Sequence, residues 1–63
     1  MLEYIKTILV KVSFDRMLFE KELRKSFTLL MQEELTELKN WCYMQFSTLY
    51  PNVLNQVFEP VNA

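Results

Sequence analysis

The chain is expected to fold as a small all-α domain: an antiparallel bundle of three main helices plus a short C-terminal fourth helix, assembled as an oligomer. Three observations point there. Its 63 residues contain no glycine, which removes the usual residue for positive φ, for hairpin turns of type I′ and for phosphate-cradling loops. Apolar residues recur at helical spacing along most of the chain, with 51% of positions hydrophobic. A chain this short buries only about 60% of the surface its unfolded form exposes, so its core needs reinforcement. One cysteine and no histidine leave neither an internal disulfide nor an ordinary zinc site to supply it. Association with further copies is the remaining route.

The first helix is expected over Met1 to Val12, where Leu2, Ile5, Leu9 and Val12 form one stripe and Ile8 sits beside it. Glu3 near its start and Lys11 near its end suit the helix dipole. The β-branched run from Thr7 to Val12 has strand character, but no partner strand follows it. Glu3, Lys6 and Lys11 do not match a secretory leader, and no stretch approaches the ~20 apolar residues that span a bilayer. The amphipathic face is expected to dock on the bundle rather than rest on lipid.

Ser13-Phe14-Asp15 supplies two candidate caps for a second helix. With Asp15 as N-cap, Phe14 and Phe19 take the positions of a hydrophobic staple; with Ser13, Val12 and Met17 do. The helix should run to about Leu29 or Leu30, burying Phe19, Leu23, Ser26, Phe27 and Leu30, with Met17 and Leu18 supporting its start. Arg16, Glu20 and Arg24 alternate in sign at steps of four, as a solvated face does.

A break is expected between Thr28 and Gln32, marked by Gln32, Glu33 and Glu34 as the acidic first turn of a third helix. No glycine or proline supports the break, and Met31 is a poor cap residue. An unbroken helix from Asp15 to Leu49 therefore competes with it. The third helix carries the longest stripe, Leu35, Leu38, Cys42, Phe46 and Leu49, widened by Trp41 and Met44. It should end near Tyr50, because the residue before Pro51 is pushed out of the α region. Pro51 then suits the first turn of a short fourth helix, burying Val53, Leu54, Val57 and Phe58. Residues 1–58 form the single expected domain, and 59–63 a frayed tail.

Chemistry is sparse. Cys42 has no histidine for a base and lies on an apolar stripe, so a buried structural thiol is expected. Glu33, Glu34 and Glu37 lack the histidines and second-helix carboxylates of a bundle metal site, so they are assigned to a solvated helix start. No catalytic residue, cofactor site or metal site is expected, and no nucleophile, base and oxyanion site can be assembled.

Seven basic and eight acidic residues give a formal charge of −1, with no overall pull toward polyanions. Arg16, Lys21, Arg24 and Lys25 nevertheless form a basic patch on the second helix, a candidate polyanion contact. Glu20 and Glu22 interleave with it, and the third helix offers no row of base-reading side chains. Pairing of the patch with the Glu33, Glu34 and Glu37 end of a neighbouring chain is a further reading. Trp41, Tyr43, Met44 and Tyr50 are the candidate partner interface, since aromatic residues and methionine are enriched where proteins meet. The function expected is that of a non-enzymatic, cytoplasmic interaction module that self-associates or meets a helical protein partner. The alternative is a nucleic-acid-associated regulator using the second-helix bases.

Overall fold

In a computed structural model, which describes residues 1–58, the apolar stripes close into four helices. They are α1 (Leu2–Lys11), α2 (Arg16–Ser26), α3 (Gln32–Phe46) and α4 (Pro51–Phe58). The expected tail, 59–63, lies outside the described residues. The helices pack in a ring of neighbours: α1 against α2, α2 against α4, α4 against α3, and α3 against α1. The Cα radius of gyration is 10.7 Å, against about 10.6 Å for a compact chain of this length. A continuous rod from Asp15 to Leu49 would be far more extended, and the chain breaks it between Phe27 and Met31.

The core takes two or three side chains from each helix. Ile5 and Leu9 come from α1, Phe19, Leu23 and Ser26 from α2, Leu38, Cys42 and Phe46 from α3, and Val53, Leu54 and Val57 from α4. Leu30, in the α2–α3 connection, closes the same cluster. Phe19 is its centre: its ring lies 4.8 Å from Phe46 and 4.9 Å from Tyr50, centroid to centroid. Such ring pairs add about 0.5–1.5 kcal/mol beyond the area they bury.

With no glycine available, every helix ends at negative φ. The α2 exit tightens into bonds three residues back, from the Phe27 amide to the Arg24 carbonyl and from Thr28 to Lys25. Hydroxyls help: Ser26 donates to the Leu23 carbonyl at 2.6 Å and Thr28 to that of Lys25 at 2.8 Å. Such side-chain donors satisfy last-turn carbonyls that a helix otherwise leaves orphaned. Ser13 does the same for Val10 at the end of α1. Four expectations shift as a result. The second helix stops at Ser26, short of Leu29, and the third at Phe46, short of Tyr50. Leu49, placed by periodicity on the core stripe, falls in the turn after α3 and is 55% exposed. Phe14 is 79% exposed, so neither it nor Met17 clamps the start of α2 as a staple would.

At the start of α2, Asp15 is the cap, its carboxylate accepting from the amides of Met17 and Leu18 at 3.0 and 3.1 Å. The cap of α3 is Met31, in extended conformation. Its side chain is a weak substitute for serine or aspartate, and the Glu34 carboxylate reaches back to the Met31 amide at 3.0 Å. That bond is one half of a capping box and fixes where α3 begins.

Candidate functional site

The four aromatic and methionine residues expected to meet a partner lie in four different environments. Trp41 lies on the flank of α3 that faces α1. Its ring packs edge-on against Phe46 at 5.6 Å, and the Lys6 ammonium stands 5.6 Å from the indole centroid. Tyr43 lies on the flank facing α4, where its hydroxyl is 2.7 Å from the Asn55 side-chain oxygen, to which it donates, and its ring approaches Phe58. Tyr50 braces the far side of the core: its ring packs on Phe19 and its hydroxyl donates to the Ser13 carbonyl. These three are half-buried. Met44 alone points outward, 81% exposed, on the same face of α3 as Glu33, Glu37 and Asn40. Residues 41, 43 and 44 diverge because steps of one, two and three on a helix rotate the side chain through about 100°, 200° and 300°. The four do not make one patch.

The basic set is less dispersed. Arg16, Lys21, Arg24 and Lys25 are all exposed along the outer side of α2. Two of the four are compensated locally. The Arg24 guanidinium donates through Nε and one terminal nitrogen to the Glu20 carboxylate, at 3.0 and 2.8 Å, and Lys25 lies 3.9 Å from Glu22. Arg16 and Lys21 make no ion pair among the described residues. Exposed pairs of this kind contribute about 0.2–0.5 kcal/mol each, so they hold the charges weakly and can exchange partners.

Sequence reasoning missed a second outward patch. Phe14 and Met17, 79% and 76% exposed, continue the outer side of α2 past its N-terminus. Periodicity assigned them to the staple and the helix start because it cannot register where the α1–α2 connection turns. A shallow groove of about 200 Å³ runs between α1 and α2, with Ile5, Ile8 and Leu9 along one wall and Glu22, Lys25 and Leu29 along the other. The Glu22–Lys25 pair crosses its rim.

Cys42 is buried between Leu38 and Phe46 on the core stripe. Burial among apolar side chains pushes its thiol up to about 12, only partly offset by the Lys6 charge. At neutral pH the sulfur is protonated and a poor nucleophile. No three side chains of the cysteine, aspartate or glutamate type gather in metal-binding geometry among the described residues. Among those residues, no helix is long and apolar enough to cross a membrane.

The chain thus belongs to the class of small, compact, all-helical proteins. No family model matches it, and neither the curated proteins nor the solved structures contain a match.

Proposed function

We propose that this protein is a non-enzymatic interaction module, an antiparallel helical bundle that self-associates through its outward apolar side chains, acting in the cytoplasm. One observation carries the reading: the composition of the surface, set against its size. The accessible area is 4312 Å², and a folded monomer of 7.7 kDa should expose about 4,300 Å². The chain therefore exposes as much surface as an ordinary folded monomer of its mass. Even so, Phe14, Met17 and Met44 stay almost wholly in water. Single exposed apolar residues are ordinary, but flexible methionines and an aromatic at the ends of two helices suit adaptable docking. A reducing compartment is compatible with the one thiol, which lies in the core.

The interface moves accordingly from the four-residue set to Met44 and its counterparts on α2, since Trp41, Tyr43 and Tyr50 are engaged with α1, α4 and the Ser13 turn. Light scattering or sedimentation across micromolar to millimolar concentration tests the reading. The apparent mass should rise with concentration in the unaltered chain. With Met44→Glu, a substitution at a solvent-facing position that leaves the core intact, it should rise less. A constant monomer mass throughout would reject self-association.

A further inference from the structure

The outer faces of α2 and α3 carry matched patterns of charge and apolarity. From Met17 the α2 face continues through Lys21 to Arg24, steps of four and three. From Met44, followed backwards, the α3 face continues through Asn40 to Glu37 in the same steps, and on to Glu33. All of these side chains are exposed. At 1.5 Å per residue, Met17 to Arg24 and Met44 to Glu37 each span about 10.5 Å. Laid antiparallel, the two faces put methionine against methionine, Arg24 against Glu37, and Lys21 beside Asn40 within reach of Glu37. Laid parallel, a methionine would oppose a charge at each end. The charges therefore select one orientation.

The two faces cannot meet within one molecule. Phe19 of α2 and Phe46 of α3 touch across the core, and the two helices are not neighbours in the ring. Their outer faces consequently point away from each other.

We propose, resting on the self-association reading, that copies of this chain join head to tail: Met17, Lys21 and Arg24 of one copy lie antiparallel against Met44, Glu37 and Glu33 of the next. Such a contact is heterologous. Each copy keeps one free α2 face and one free α3 face, so assembly continues into rings or filaments and does not stop at two. Lys21, Glu33 and Glu37 make no ion pair among the described residues. Arg24, itself exposed, has only to exchange the half-buried Glu20 carboxylate for one on the neighbouring copy. Two helix faces of this length fall below the area of a standard interface, so the contact is reversible and salt-sensitive.

Charge reversal of the full chain tests this by sedimentation velocity, with far-UV circular dichroism to verify folding. Lys21→Glu with Arg24→Glu, and separately Glu33→Lys with Glu37→Lys, should each weaken association at least ~10-fold, since like charges then oppose each other. Mixing the two variants should restore it, because each reversed face then meets its complement. The unaltered chain should grow past the dimer and should dissociate as salt is raised, a readout that needs no variant to fold. Association that survives both reversals, ignores salt or ends at a dimer would overturn the head-to-tail contact while leaving self-association standing. A chain monomeric at every concentration would remove both. Association lost with the α2 reversal alone would overturn the role of α3 and point to another acidic partner surface.

Discussion

The thiol of Cys42 is held neutral by its surroundings. It sits in the core beside Leu38 and Phe46, and desolvation raises its pKa from 9.0 to about 12 against the smaller, opposite influence of Lys6. In the unfolded chain the thiol ionises around the ordinary value; in the folded chain it does not until near 12. Between those limits the unfolded state binds fewer protons, so stability must fall as pH rises, by at most about 1.4 kcal/mol per pH unit from this group. Below pH 9 the contribution is constant. Chemical denaturation of the native chain and of Cys42→Ala, at pH 8 and at pH 10.5, isolates it. The native chain should lose more stability over that interval than the variant, and equal losses would show that Cys42 does not titrate on unfolding. The burial of this residue was legible in the sequence, because a cysteine at the centre of an apolar stripe with no histidine anywhere has little else to do. The half-burial of Tyr43 and Tyr50 was not. Their ring positions depend on Asn55 and Ser13, twelve and thirty-seven residues away, and no local pattern encodes contacts at that separation.

Helix ends are where local chemistry was most and least informative. Asp15 followed by a helical stripe is a strong start signal, and the structure uses it as such, with two amides on one carboxylate oxygen. Asp15→Ala should destabilise the fold by about 1 kcal/mol, within the usual 0.5–2 range for a lost cap, while Asp15→Asn or Asp15→Ser should recover most of it. Urea denaturation of the three variants reads this directly, and an Asp15→Ala midpoint equal to the native one would remove Asp15 as the determinant of where α2 begins. The stops were harder to place. Periodicity carried the second helix to Leu29 or Leu30 because Leu30 is in register with Phe19 and Leu23 and is in fact buried. It reaches the core from a turn and not from a helix. Ser26 and Thr28 end α2 by bonding their hydroxyls to carbonyls of the preceding turn, a signal much weaker in sequence than the glycine it replaces. Leu49 errs in the opposite direction. It keeps the helical step from Phe46, but the Tyr50 amide already bonds the Phe46 carbonyl at 2.8 Å, and the chain has turned toward Pro51 before Leu49 can face inward.

Across the whole molecule one aromatic joins α2, the end of α3 and the α3–α4 connection, so the four helices are expected to unfold together. Phe19 is fully buried and packs edge-on against Phe46 at the end of α3 and at a tilt against Tyr50 at the entrance to α4. Tyr50 in turn ties the α3–α4 connection to the α1–α2 connection through the Ser13 carbonyl. The four-helix, single-layer core was legible from the spacing of Ile5, Leu9, Phe19, Leu23, Leu38, Cys42 and Leu54, since each helix has one face that must be covered. The ring order of the helices was not, because it rests on which aromatic fits beside which. Truncating Phe19 to alanine should cost about 3–5 kcal/mol, and a core of this size rarely supplies more than about 3–5 kcal/mol in all. The Phe19→Ala chain should therefore be largely unfolded at 25 °C, losing helical circular dichroism from all four helices together rather than from α2 alone. Exposed Phe14, only five residues earlier and of identical chemistry, provides the control: Phe14→Ala should change the denaturation midpoint little. If Phe19→Ala kept native helicity and lost less than about 1 kcal/mol, the helices would be stable without their shared aromatic centre. Four short helices in water do not ordinarily hold on their own, so that result would require the reinforcement to come from contacts between copies.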